Sequence, residues 1–120
     1  MTETMTALQA FFSGFGLTAY PEDSVPADAQ LPYITYMPVR THGLEAASMQ
    51  ARVWYRSRSY VEVNAKSDEI ARAVGTGARL RFPGGMVVLR PGAPLLQHQP
   101  IAAPDIKVVY INLQINKYGI

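Results

Sequence analysis

Between Arg56 and Gly75, the positions Tyr60, Val63, Ser67, Ile70, Ala71 and Val74 recur with the three- and four-residue period that gathers side chains on one helical face. Ser59 and Glu62 form an S-x-x-E capping box at the start, and Gly75 is placed to end the helix in a left-handed conformation. The opposite face is charged. There Glu62 precedes Lys66 and Asp68 precedes Arg72, each by four residues in the favoured acid-first order. A first, shorter helix is predicted from Met5, Leu8, Phe12 and Phe15, with Thr2 or Thr4 as cap and Gly16 as stop.

Elsewhere the period changes to two. From Ser48 to Arg56, Met49, Ala51, Val53 and Tyr55 alternate with Gln50, Arg52, Trp54 and Arg56, the pattern of a strand with one buried face. Ile106 to Asn116 alternates in the same way, with Val109, Ile111, Leu113 and Ile115 on one side, and is predicted to be the longest strand. Tyr33 to Met37 is a β-branched and aromatic strand closed by Pro38, and Leu17 to Tyr20 a shorter one. Arg79 to Phe82 and Met86 to Arg90 flank Pro83-Gly84-Gly85 as a hairpin. Three segments read as loops: the proline- and acid-rich 21–32, the turn at Gly43 to Ala47, and 91–105, whose four prolines allow at most a short extended piece near Leu95. This order predicts a single α+β domain over residues 1–120, a mainly antiparallel mixed sheet with two helices packed on one face.

Composition narrows the chemistry. At 120 residues the chain suits one core, and its 48% hydrophobic content marks it as globular. No apolar run approaches the ~20 residues that span a bilayer, and no secretion signal is visible, so a cytoplasmic origin and no membrane partner are expected. Without cysteine there is no disulfide, thiolate metal site or cysteine nucleophile, and His42 and His98 read as exposed loop residues rather than general bases. Gly75-Thr76-Gly77 and Gly84-Gly85 do not follow a strand and open a helix, so they make no phosphate cradle, and no serine sits in a nucleophile elbow. Neither an enzyme nor a cofactor is expected.

The net charge of +2 hides an uneven distribution. Residues 1–39 carry Glu3, Glu22, Asp23 and Asp28 and no base, whereas residues 40–90 carry an excess of five positive charges. Opposite patches on one small domain favour head-to-tail association, the acidic patch of one copy meeting the basic patch of the next. Glu22, Asp23 and Asp28 are the acidic candidates, and Arg52, Arg56 and Arg58 the basic ones, with Trp54 as apolar anchor. Because Arg52, Trp54, Arg56 and Arg58 interleave base and aromatic, a small nucleic-acid-binding module is the alternative from another class.

Leu31-Pro32-Tyr33-Ile34-Thr35-Tyr36, Trp54-Tyr55-Arg56-Ser57 and Ile111-Asn112-Leu113-Gln114, in their order along the chain, resemble the tail terminator (tail completion) proteins of long-tailed bacteriophages and prophages of Gram-positive bacteria. The similarity runs over nearly the whole chain. It implies a structural virion protein, assembled in the host bacterial cytoplasm and located at the tail-head junction. Such a subunit forms a homo-hexameric ring that caps the tail tube protein, stops tail polymerisation and offers the head-tail joining surface to a connector or neck protein. DNA then passes through the lumen without sequence-specific binding. Another head-tail connector or head-closure protein of the neck is the neighbouring alternative.

Overall fold

The computed structural model describes residues 3–37 and 46–119. They form one α+β domain of two helices and a six-stranded mixed sheet. The helices are α1 (Glu3–Phe12) and α2 (Val61–Val74), and the strands are β1 (Thr18–Pro21), β2 (Tyr33–Tyr36), β3 (Ala46–Arg56), β4 (Ala78–Phe82), β5 (Gly85–Gln99) and β6 (Ile106–Gly119). Spatial order is β1-β2-β3-β6-β5-β4, and only the β1/β2 pair is parallel. No helix among the described residues is long and apolar enough to cross a membrane.

Alternation along the strands decides which face is covered. Ile34 and Tyr36 on β2, Met49, Ala51 and Val53 on β3, Val109 to Ile115 at alternate positions on β6, and Val87 and Leu89 on β5 all enter one core with Leu8 and Phe12 of α1 and Val63, Ile70 and Val74 of α2. Helix α1 packs against both edge strands, β1 and β4, and the sheet curls around it. Within the core Phe12 stacks on Tyr36, centroids 5.3 Å apart and planes 17° apart, and Phe11 meets Phe12 edge-on at 5.1 Å. The Tyr36 hydroxyl donates to Gln9 Oε1, while Gln9 Nε2 donates to the Ala19 carbonyl at 3.0 Å, tying α1 to the β1 edge. Burial, and then the Asp23 carboxylate, pushes the Tyr36 phenol above its ordinary range, so it stays a donor.

The α2 stripe behaves as its period predicts: Val63, Ser67, Ile70 and Val74 are buried. Its termini differ in detail. Ser59 Oγ accepts the Val61 N–H at 3.1 Å, an i+2 bond that replaces the predicted reach to the third residue, and Tyr60 takes the N-cap position without a side-chain cap. Lys66 does not pair with Glu62. It turns to Glu69 at 3.2 Å and donates to the Phe15 carbonyl, which anchors α2 to the 3₁₀ turn at Ser13–Phe15. Asp68 and Arg72 form no ion pair in the structure, because both are exposed and water solvates them as well as each other. Gly75 ends the helix at φ 54, ψ −133, a region closed to other residues, with its N–H on the Ala71 carbonyl at 2.9 Å.

Five further expectations are corrected. Residues 91–99 are not irregular but belong to β5, which at 15 residues outruns the 14 of β6 and displaces it as longest strand. The prolines are absorbed by a register shift between Pro91 and Leu96, where the ladder needs no N–H from them. His98 therefore sits on a strand, exposed, stacked on Tyr60 at 4.1 Å and 2.7 Å from Asn64 Oδ1. Thr4 lies inside α1 and is buried, and strand β3 begins at Ala46 rather than Ser48. The proposed cap Thr2, the Pro38 stop, His42 and the turn at 43–45 fall outside the described residues.

Candidate functional site

Both helices occupy one face of the sheet, which leaves the other without a helical cover. This outer face is set by the residues between the core positions. Direct cross-strand partners place Tyr33 beside Trp54, Thr35 beside Arg52, Gln50 beside Asn112, Arg52 beside Tyr110 and Trp54 beside Val108. Tyr20, paired with Thr35 on the other side, extends the row to β1.

Two interaction chains hold these side chains. The first is aromatic: Tyr20 meets Tyr33 edge-on at 5.7 Å, Tyr33 meets Trp54 at 6.1 Å, and the Trp54 indole N–H donates to Thr35 Oγ1 at 3.0 Å. The second is charged. Arg52 Nη1 pairs with Glu22 Oε1, its guanidinium lies over the Tyr110 ring at 4.6 Å, and Nη2 donates to the Tyr110 hydroxyl at 3.1 Å. Its Nε is buried with no hydrogen-bond partner. Beyond it, Gln50 Nε2 donates to Asn112 Oδ1 at 3.0 Å, and Asn112 Nδ2 to the Pro94 carbonyl at 2.9 Å.

Arg52 does this through the planar fork of its guanidinium, which bonds Glu22 and the Tyr110 hydroxyl while lying over the Tyr110 ring. Arg52→Lys keeps the charge but loses the planar fork that spans Glu22 and Tyr110. We expect it to lower stability by about 1 kcal/mol, read as a reduced urea midpoint, and an unchanged midpoint would count against this role.

The seven interface candidates thus divide. Glu22 and Arg52 meet within one chain, and Arg56 is paired 2.6 Å from Asp105, whose carboxyl the Arg56 hydrogen bond holds below the usual range. Asp23, Asp28 and Arg58 are exposed and in no ion pair among the described residues. Trp54 is half-buried, its indole fixed to Thr35 but its ring on the open face. No group of three or more histidine and carboxylate side chains among the described residues stands together as metal ligands.

A second outer-face feature escaped the sequence reading. Arg79 on β4, Met86, Val88 and Arg90 on β5 and Tyr118 on β6 line a depression of about 350 Å³ closed at one end by Thr76 and Gly77. The signal was present in the hairpin, since Arg79 pairs with Val88 and Arg81 with Met86, which puts these arginines on the outer face with Arg90 two residues beyond Val88.

No protein-family model matches this chain, and no curated protein matches it.

Proposed function

We propose that the chain is a structural subunit of a phage virion, a tail terminator that forms a ring on the finished tail tube and presents the head-tail joining surface. The observation that carries this reading is the location of the three family-like motifs. Residues 31–36 lead into and form β2, 54–57 close β3, and 111–114 lie in the middle of β6, so all three lie on neighbouring strands of one sheet. There they build the outer face, with Tyr33, Trp54 and Asn112 exposed to a partner in part.

A closed ring needs two different patches on each subunit, so that contacts run head to tail. An aromatic row of Tyr20, Tyr33 and Trp54 is the kind of surface that anchors such contacts, because aromatics bury large area at little conformational cost. A neighbouring neck protein remains the second reading, since it would use the same kind of face. The nucleic-acid alternative loses support from the engagement of Arg52 by Glu22, which removes the central base from phosphate contact.

Deleting the gene from the phage or prophage that encodes it is expected to leave filled heads and tail tubes unjoined, with tubes of abnormal length. Electron micrographs of the lysate read the result directly. Normal complete virions would overturn the proposal, and heads that leak DNA beside normal-length tails would favour the neck-protein reading.

A further inference from the structure

The acids at one side of the outer face and the arginines at the other carry an inference about how two copies meet. Loop 22–32, between β1 and β2, presents Asp23 and Asp28 to solvent. Asp23 accepts from the neighbouring Ser24 hydroxyl at 3.1 Å and is in no ion pair among the described residues, and Glu22 is already bound to Arg52. On the β4–β5 side Arg79, Arg81 and Arg90 are exposed, and among the described residues none of them has an ion pair or hydrogen bond. Among the described residues nothing acidic lines the depression between Arg79 and Arg90.

The depression has the features of a carboxylate receptor. Its floor, Val88, is 4% exposed, so a group entering it leaves bulk water on that side. Gly77 packs where a β-carbon would stand 3.7 Å from Val88 Cγ1 and 3.9 Å from Arg90 Nη1, so the absent side chain keeps the end wall low. Arg79 and Arg90 both line this space, a guanidinium can bond a carboxylate through two parallel N–H groups, and partial desolvation strengthens the pairing.

We propose that this arginine cup receives the acidic loop, Asp23 and Asp28, of a second copy of the chain. This rests on the ring reading above and assigns its contact. Charge complementarity selects the occupant: the first 39 residues hold four acids and no base, while among the described residues the cup holds bases and no acid. The donor and receptor patches belong to opposite ends of the strand order, near β1–β2 and on β4–β5. Each subunit therefore offers both halves of a head-to-tail contact. The aromatic row lies beside the donor loop and adds the apolar part.

Charge reversal in trans tests it. One variant carries Arg79→Glu with Arg90→Glu, the other Asp23→Arg with Asp28→Arg. All four positions are exposed, so both variants are expected to fold, which circular dichroism and a melting curve establish. By sedimentation at low salt, the unaltered protein is expected to associate, and each variant alone to need at least about tenfold higher concentration. An equimolar mixture should regain association, because each reversed cup then meets a reversed loop and each native cup a native loop. The same protein carrying all four changes should also associate. High salt should weaken every one of these contacts.

The assignment is overturned if the unaltered protein stays monomeric at millimolar concentration, if either reversal leaves association unchanged, or if the mixture stays dissociated. It is equally overturned if the arginine reversals abolish only the binding of a DNA oligonucleotide. Unjoined heads and tails in the deletion lysate together with association insensitive to both reversals would sink this contact and leave the ring reading standing.

Discussion

Phe12→Ala is expected to remove ~3–5 kcal/mol of stability, the cost of truncating a fully buried aromatic and leaving a cavity. That is a large fraction of the ~5–15 kcal/mol typical of a domain, so the variant should be partly unfolded near body temperature. The site gives little room for collapse. Phe12 lies between the Tyr36 ring below and Phe11 at its edge, and Tyr36 is itself held by Gln9, so the Tyr36 ring cannot swing in without breaking that hydrogen bond. Because α1 bridges the two edge strands, its loosening also frees β1 and β4. Phe12→Leu, which keeps most of the volume, should cost less than about 1.5 kcal/mol. Equilibrium urea unfolding reads both, and a loss below 1 kcal/mol for the alanine variant would show that α1 contributes little to the fold.

Gly92→Ala should be the most damaging single-methyl addition in a strand interior. A β-carbon there would stand 2.8 Å from the Asn112 carbonyl oxygen and 3.1 Å from its carbon, both backbone atoms of β6 that cannot rotate away. Either β5 moves off β6 within the register shift or the strain remains, at a cost of ~1–3 kcal/mol. Asn112 also loses its alignment toward Gln50 and Pro94, so amide exchange should quicken at residues 50 and 112. Gly14→Ala is the control, since nothing lies within 4 Å of its added carbon. Equal midpoints for the two variants would refute the close-approach argument.

These sites show what the sequence alone could reveal. Helix α2 was legible because its buried residues keep a helical period, β3 because it alternates, and β6 because it alternates from Val109 to Ile115. Strand β5 was not legible past Arg90, since Pro91 and Pro94 carry the local signal of a loop and only the ladder with β6, remote in sequence, overrides it. The parallel pairing of β1 with β2 leaves no local pattern at all. At the candidate site, the interleaved Arg52 and Trp54 were readable as one face, but not that Glu22 of the same chain would claim Arg52. That pairing depends on where loop 22–32 leaves β1, which no local pattern encodes. The arginine cup was hidden for a related reason: Arg79 and Arg90 become neighbours only through the hairpin register.

The strand order also dictates a schedule of synthesis. Strand β6 stands between β3 and β5, yet it is the last of the six to leave the ribosome. Until it emerges, β1–β3 and the β4–β5 hairpin are two fragments with no ladder between them, each exposing an edge that only β6 can pair. The nascent chain is therefore obliged to wait with open edges, and the long-range closure that ends the wait is of the slow, non-local kind. A cell translating many copies at once has most to lose in that interval, when the exposed edge of β3 on one chain is available to β6 of another.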